Sequence, residues 1–350
     1  MHHKSAPFVT SAQTDRARRR VVGQLLCAAA GAALPALAPA SARAQDSAAP
    51  NQGVAVLRDL RYGEAVVGYG TDNPTRRALT FDAYVPAGAA PAGGRPALVL
   101  SHGGAFHRGA KDNDEFSQDG SRNTPVHEYC ARFAARGYAC FSLDYRLTQE
   151  RPAPPRHPFV RNRDGVQRDR VDYVRNLMGL PHASQEELVS GMEAAITDMA
   201  DGFRFIRAHA SRWGIDRRRM AMGGFSAGAY GAAYAAFVLG APAAALVCLS
   251  GGMDPVDAAY YVPRTHRRPR MLLVAGEHDL AGVPESVDGL ARLAPREHLG
   301  VWRYQVSGKS HFYEGNAPLV LTQATLPGGE RNATLEAAME SFLADALARN

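Results

Sequence analysis

A five-residue stretch constrains the fold of this chain more than any other feature. Residues 224–228 are Gly-Phe-Ser-Ala-Gly, which places Ser226 in the pattern G-x-S-x-G. A short apolar run at 219–223 precedes it, and residues 229–239 are small, apolar and compatible with a helix. The pattern predicts a buried strand that turns sharply into a helix and exposes the serine hydroxyl. The alternative is a glycine-rich turn with a solvated serine, since a chain with 34 glycines produces chance matches.

Strand and helix patterns alternate from residue 96 onward. This alternation predicts an α/β fold with a mainly parallel sheet and helices on both faces. Residues 79–85 also predict a strand, with the polar and apolar alternation of a half-exposed antiparallel edge strand. Residues 301–306 are expected to be the last strand, and residues 335–348 a terminal amphipathic helix.

The stretch after the predicted strand at 96–100 is rich in small residues. Residues 101–106 are Ser-His-Gly-Gly-Ala-Phe, and such a loop presents backbone N–H groups to a ligand. A tetrahedral oxyanion needs two or more donors of this kind. We therefore expect an oxyanion hole from Gly104, Ala105 and Ala227. A plain strand-to-loop turn with a structural His102 is equally compatible with the stretch.

A serine nucleophile needs an imidazole to take its proton and a carboxylate to orient that imidazole. Asp279 and His311 follow later predicted strands, so both are expected at the carboxyl edge of the sheet. The order Ser226, Asp279, His311 is the order expected for an α/β sheet with a serine at its sharp turn. Asp254 and Glu277 are rival carboxylates at this stage.

Residues 148–182 interrupt the alternation. This insert holds five prolines and an arginine-rich run, and is expected to be an irregular cap on the substrate side or a solvated excursion. Its arginines suggest a preference for acidic or phenolic-acid substrates, with Arg151, Arg156 and Arg161 as the candidates. Asp144 and Arg146, which lie just before the insert, are expected to form a structural pair.

Together these stretches resemble the α/β-hydrolase superfamily, and within it the esterase and lipase branch. The sequence is most similar to the hormone-sensitive-lipase-like and feruloyl-esterase-like carboxylesterases, over roughly residues 60–348. One departure is Ala105, where many relatives have a third glycine. The motifs that carry the resemblance are residues 102–106, 144–147, 224–228, 276–279 and 308–311.

The resemblance implies an eight-stranded, mainly parallel sheet and a serine hydrolase that cleaves carboxylic esters through an acyl-enzyme. It implies Ser226 as nucleophile, His311 as base and Asp279 as the orienting acid, with a small-molecule ester as substrate and no metal or organic cofactor. A serine peptidase of the prolyl-oligopeptidase type, a non-catalytic binding protein on the same fold, and acyl transfer to an alcohol other than water are open alternatives. Acyl and alcohol specificity and the oligomeric state are also open.

The net charge of +6 does not indicate a nucleic-acid partner. Residues 1–44 hold six basic residues and one acid, a net of +5, which leaves about +1 for the rest. Arg19-Arg20 precede two valines, an alanine-rich apolar run and an Ala-Arg-Ala cleavage site. This order predicts a twin-arginine export signal at 1–44 and a periplasmic or extracellular protein, with a disordered basic tail as the alternative.

The expected domain order after the signal is a linker at 45–60 and an α/β-hydrolase domain at 61–350 that contains the insert. No later apolar run is long enough to span a bilayer. Export permits disulfides. A bridge between Cys130 and Cys140 and buried free thiols are both open, and Cys248 is the third cysteine beyond the signal.

Overall fold

A computed structural model describes residues 53–166 and 168–348. The predicted export signal and the predicted linker up to residue 52 lie outside the described residues. The strands are β1 (Val54–Val67), β2 (Thr75–Pro86), β3 (Arg95–Ser101), β4 (Ser117–Gln118), β5 (Ser121–Arg122), β6 (Ala139–Leu143), β7 (Ile215–Phe225), β8 (Ala245–Leu249), β9 (Arg270–Gly276), β10 (Val301–Val306), β11 (Pro318–Ala324) and β12 (Asn332–Thr334). The α-helices are α1 (Val126–Ala135), α2 (Arg168–Leu177), α3 (Gln185–Ala208), α4 (Ala227–Phe237), α5 (Pro255–Tyr261), α6 (Val283–Leu293) and α7 (Leu335–Ala346).

In the described part of the chain, ten strands form one sheet in the order β1-β2-β6-β3-β7-β8-β9-β10-β11-β12, and β4 pairs with β5 in a separate hairpin. The six central strands from β6 to β10 are parallel. Two antiparallel strands flank them at each edge. This sheet, with a serine turn after β7, has the α/β-hydrolase fold, so the predicted fold is confirmed. The predicted count of eight strands is wrong, because the edges extend further.

Both extensions are strands that the sequence analysis missed in whole or in part. Residues 54–60, predicted as linker, are the start of β1, which pairs with β2 over nearly its whole length. The strand at 79–85 is therefore second in the sheet rather than at its edge. At the other side β11 and β12 follow β10, so residues 301–306 are not the last strand. In β1 the register shifts near Leu57 and Arg61 interrupt the alternation of exposed and buried residues. In β11 burial alternates, but the exposed positions include the apolar Val320, so the sequence does not show period two.

The central strands divide two apolar layers. In β3, Ala97 and Val99 face one layer while Leu98 and Leu100 face the other, and all four are almost fully buried. Helices α3 to α6 cover the first face, and α1 and α7 cover the second. Alternate side chains of a strand point to opposite faces, so a continuous apolar run is what a strand covered on both faces requires. This packing holds the carboxyl ends of the strands in place.

The insert at 148–182 is more ordered than predicted. It contains α2, whose Val171 packs with Ala183 and Leu188 in a small apolar cluster. The Arg175 side chain donates from Nε to the Pro181 carbonyl at 2.7 Å and ties the end of the helix to the following turn. Only three residues of this ten-residue helix are buried, so its apolar period is too sparse for the sequence to reveal.

Asp144 and Arg146 do not pair with each other, contrary to the prediction. Asp144 pairs with Arg77 of β2. The buried Arg146 guanidinium makes a two-pronged contact with Asp198 of α3, in which both N···O distances are 2.8 Å. A planar guanidinium matches a carboxylate in this geometry, and the carboxylate comes from α3.

Cys130, Cys140 and Cys248 are buried free thiols. Between residues 53 and 348, Gln167 aside, no helix is both long and apolar enough to cross a membrane.

Candidate active site

Ser226 lies in the sharp turn between β7 and α4. Its backbone has φ 53° and ψ −116°, a conformation that is strained for a residue with a Cβ. A Cβ on Gly224 or Gly228 would lie 2.2 Å or 2.0 Å from the carbonyl oxygen of Ser101. Glycine is therefore required on both sides of the turn, which explains the pattern found in the sequence.

The structure brings the three predicted triad residues together. His311 Nε2 lies 2.9 Å from Ser226 Oγ, and His311 Nδ1 lies 2.6 Å from Asp279 Oδ1. A carboxylate only accepts, so Nδ1 carries the proton and Nε2 accepts from the serine hydroxyl. The His311 side chain is 4% exposed and the Asp279 side chain is fully buried. This arrangement can move a proton from a serine hydroxyl to an oriented imidazole.

Three further donors fix the Asp279 carboxylate. The backbone N–H groups of Gly276 and Leu280 donate to it at 2.9 Å and 2.8 Å. Ser250 Oγ lies 2.6 Å from its Oδ2 and 2.8 Å from the Tyr313 hydroxyl. The serine has one proton and donates it to the carboxylate, so Tyr313 donates to the serine. Burial raises the pKa of Tyr313 well above its usual range, which keeps that donor protonated.

Sequence reasoning missed Ser250 and Tyr313. Ser250 directly follows β8, so a polar residue at the carboxyl end of a predicted strand was a signal that could have identified it. Its contact with Asp279 depends on β8 and β9 being neighbours, which the sequence does not specify. Tyr313 lies two residues beyond His311 and carried no separate signal.

The rival carboxylates have other partners. Asp254 caps α5 by accepting from the Val256 and Asp257 N–H groups at 2.9 Å and 3.2 Å. Glu277 accepts from the Gly308 N–H at 2.8 Å. Neither contacts His311 within the residues that the structure describes.

The predicted oxyanion loop has an unusual backbone. Gly104, Ala105 and Phe106 all have positive φ, at 106°, 56° and 60°. A Cβ on Gly104 would lie 2.0 Å from the Arg108 carbonyl oxygen, so only glycine fits there. Across residues 53–166 and 168–348, the N–H groups of Gly104 and Ala105 have no acceptor. Ala227 is the first residue of α4, where a helix N–H has no partner within its own helix.

Two buried histidines, His102 and His107, belong to this loop and fix its position. His102 is fully buried, stacks on Tyr145 at 4.1 Å between ring centres, and lies 3.4 Å from an Asp144 oxygen. His107 donates from Nδ1 to the Ala105 carbonyl at 2.7 Å, and burial lowers the pKa of His107. Both contacts are structural, and His107 is another residue that sequence reasoning missed.

Ser226 and His311 open onto a cavity of about 260 Å³. Its walls are mostly apolar, and the insert contributes Val166, Arg170 and Val171 to them. The insert therefore lies at the cavity, as a cap would. Arg170 is the arginine of the described insert residues that reaches it, and the three arginines named from the sequence do not line it. Those three are Arg151, Arg156 and Arg161.

Within the described residues no group of three or more His, Cys, Asp or Glu side chains could hold a metal ion.

No family model matches this chain, and no curated protein matches it. Its fold is similar to solved structures of esterase 2 from Thermogutta terrifontis. The form phosphorylated by paraoxon is 19% identical with a TM-score of 0.48, covering 82% of this chain and 96% of that chain. The apo form is 18% identical with a TM-score of 0.48, covering 81% and 92%. The propionate-bound form is 18% identical with a TM-score of 0.45, covering 71% and 85%. The order of the strands in the sheet and the sharp turn at Ser226 define the α/β-hydrolase fold of this chain.

Proposed function

We propose that this protein is a serine hydrolase that cleaves small carboxylic esters through an acyl-enzyme. The observation that carries the proposal is the continuous hydrogen-bonded relay from Ser226 Oγ through His311 to Asp279, with N···O distances of 2.9 Å and 2.6 Å. The relay ends at a mostly apolar cavity, where an ester can be bound away from bulk water. The strained serine turn supports the same reading.

In the first half-reaction Ser226 Oγ attacks the ester carbonyl carbon while His311 Nε2 takes the hydroxyl proton. The carbonyl oxygen becomes an oxyanion. The free N–H groups of Gly104 and Ala105, with that of Ala227, would donate to it. The carbon–oxygen bond to the alcohol then breaks, and His311 returns the proton to the departing alkoxide.

In the second half-reaction water attacks the acyl-enzyme and gives its proton to His311. The new oxyanion collapses, the bond to Ser226 breaks, and His311 reprotonates the serine. Asp279 stays ionised and stabilises the imidazolium that forms in each half. This chemistry balances with water alone and calls for no cofactor. The mostly apolar walls of the cavity suit the acyl or alcohol chain of a small ester.

The proposal includes export. The order of Arg19-Arg20, apolar run and Ala-Arg-Ala site in residues 1–44 supports a twin-arginine signal. Replacing both arginines by lysine should leave the uncleaved chain in the cytoplasm of a bacterial host. Equal export of the two forms in cell fractions would refute this part.

Hydrolysis of p-nitrophenyl esters from C2 to C12 and of methyl ferulate, by the intact chain and by Ser226→Ala, tests the main proposal. We expect ester cleavage by the intact chain that is lost in the variant, and the chain-length profile measures the acyl pocket. An ester and an anilide of the same acyl group separate an esterase from a peptidase. Faster cleavage of the anilide, or no cleavage of any ester, would overturn the proposal.

A further inference from the structure

Arg170 is placed to touch a bound substrate. It lies in the first turn of α2 and lines the same cavity as Ser226 and His311. Its Cζ atom is 5.7 Å from the centre of the Phe312 ring, so the charge lies beside the residue that follows His311. Its Nη1 donates to Gln118 Oε1 at 3.0 Å. These contacts fix the guanidinium and leave Nε and Nη2 without a hydrogen-bond partner among the described residues.

Arg170 also has no carboxylate partner. In residues 53–166 and 168–348, no Asp or Glu oxygen lies within 4.0 Å of its guanidinium, whereas Arg163 and Arg168 of the same insert pair with Glu186 and Asp172. A half-buried cation without a directly paired carboxylate is costly, and an anion that arrives from outside reduces that cost. The pKa of Arg170 is lowered, first by burial and then by the nearby positive charge of Arg108, and this outweighs the opposite effect of Tyr173 and of the Asp279 carboxylate, which lies more than 4.0 Å away.

Arg108 adds a second uncompensated charge. Its Cζ lies 4.5 Å from the centre of the Phe116 ring, and its buried Nε has no hydrogen-bond partner. Among the described carboxylates none pairs with it. Two carboxylates do line the cavity, but Asp254 is occupied by the N-terminus of α5 and by Asn162, and Glu285 is exposed to water. Arg170 therefore places one unpaired positive charge in the wall of the cavity, and Arg108, which is near Arg170, does not line the cavity itself.

We infer that Arg170 binds an ionised carboxylate on the substrate, so the preferred esters carry a second, free acid group. This inference rests on the proposed esterase function and names its substrate class. The open edge of the guanidinium offers Nε–H and Nη2–H side by side, which matches the two oxygens of a carboxylate. The candidate substrates are half-esters of dicarboxylic acids and esters of carboxyl-bearing alcohols or phenols.

The test compares esters that differ only in the free acid. Monomethyl esters of succinic, glutaric and adipic acid are paired with the dimethyl esters, which places the acid on the acyl side. 4-Acetoxybenzoate is paired with its methyl ester, which places it on the leaving-group side. The ratio of kcat/KM for acid over neutral ester is measured in the intact chain, Arg170→Met, Arg170→Lys and Arg161→Met. Arg161→Met is the matched control, because Arg161 stacks on Tyr260 and does not line the cavity.

We expect Arg170→Met to lower the ratio by about tenfold to a hundredfold, as loss of a charge-assisted hydrogen-bonded pair does. Arg170→Lys should lower it less, since lysine keeps the charge and loses the paired geometry. Arg161→Met should leave it unchanged, and high salt should reduce the preference of the intact chain. Melting temperatures check that each variant is folded.

An unchanged ratio in Arg170→Met, with both esters still cleaved, overturns this inference and leaves the esterase proposal standing. Loss of all ester cleavage in the intact chain overturns the esterase proposal instead. Calorimetric binding of monomethyl glutarate to Ser226→Ala needs no turnover and decides the inference in that case. Equal Kd values for Ser226→Ala and Ser226→Ala/Arg170→Met would refute it.

Discussion

Replacing Ser250 by alanine should separate orientation of the Asp279 carboxylate from stability of the fold. Ser250 Oγ donates to Asp279 at 2.6 Å and accepts from the Tyr313 hydroxyl. The substitution removes one of four donors to the carboxylate and leaves the buried tyrosine hydroxyl without its partner. Activity and stability therefore fall for two different reasons.

The size of each effect follows from the contacts. A hydrogen bond to a charged group contributes about 1.5–3 kcal/mol. Asp279 keeps His311 and two backbone donors, so the loss in transition-state stabilisation should lie near the low end, which is about a tenfold fall in kcat. The orphaned Tyr313 hydroxyl should cost about 1–3 kcal/mol of unfolding free energy. In Ser250→Ala/Tyr313→Phe the orphan is gone, so stability should partly recover while kcat stays low.

The assay pairs kcat on p-nitrophenyl butyrate with urea unfolding for each variant. Ser250→Gly is the control for the backbone, because Ser250 has φ 49° and glycine adopts that conformation without strain. Glycine should lose as much activity as alanine if the hydroxyl matters. Full activity in Ser250→Gly, or recovery of kcat in the double variant, would show that the Ser250 hydroxyl does not orient Asp279.

Three other predictions follow from the same contacts. Asp279→Asn should lower kcat on p-nitrophenyl butyrate by about a thousandfold or more. Asp254→Asn and Glu277→Gln should each change it by less than about threefold. Gly228→Ala should lower the unfolding free energy by at least about 2 kcal/mol in a urea titration, because the added Cβ would lie 2.0 Å from the Ser101 carbonyl oxygen at the end of β3. The control is Gly63→Ala, where the nearest atom to the added Cβ is 3.9 Å away. It should lower the unfolding free energy by less than about 1 kcal/mol. His127 Nδ1 lies 3.6 Å from Asp114, whose carboxylate raises the pKa of His127 above 6.5 in the folded chain. The pair therefore stabilises the fold below pH 6.5, and this stabilisation is lost as the pH rises through the raised pKa of His127. His127→Gln should lower the melting temperature more in acid than in base. A difference in melting temperature that does not change with pH would contradict this.

The fold and the three triad candidates could be predicted because their signals are local. Ser226, Asp279 and His311 each follow a strand pattern, and the carboxyl ends of parallel strands meet at one edge of the sheet. The glycines around Ser226 are also a local signal, because a Cβ on Gly224 or Gly228 would clash with the Ser101 carbonyl oxygen. The edge strands gave weaker signals, because register shifts interrupt β1 and an apolar residue, Val320, occupies an exposed position of β11.

The supporting residues depend on which strands become neighbours. Ser250 reaches Asp279 only because β8 lies next to β9, and that order is a property of the whole sheet. The insert shows the same limit. Its many arginines look alike in the sequence, and the fold turns Arg170 toward the cavity while Arg161 stacks on Tyr260. The arginine-rich composition of the insert suggested that an arginine binds substrate. Only the structure shows that, among the described residues of the insert, Arg170 is the arginine that lines the cavity.

In the proposed reaction Ser226 forms a covalent bond with the acyl group of its substrate, and His311 takes the serine proton. The most direct measurement is the intact mass of the chain after incubation with a fluorophosphonate, followed by peptide mapping and assay of the remaining hydrolysis of p-nitrophenyl butyrate. We expect one adduct per chain, located on Ser226, with hydrolysis lost in proportion to labelling and no adduct in Ser226→Ala. An unlabelled chain, an adduct on another residue, or hydrolysis that survives complete labelling would contradict it.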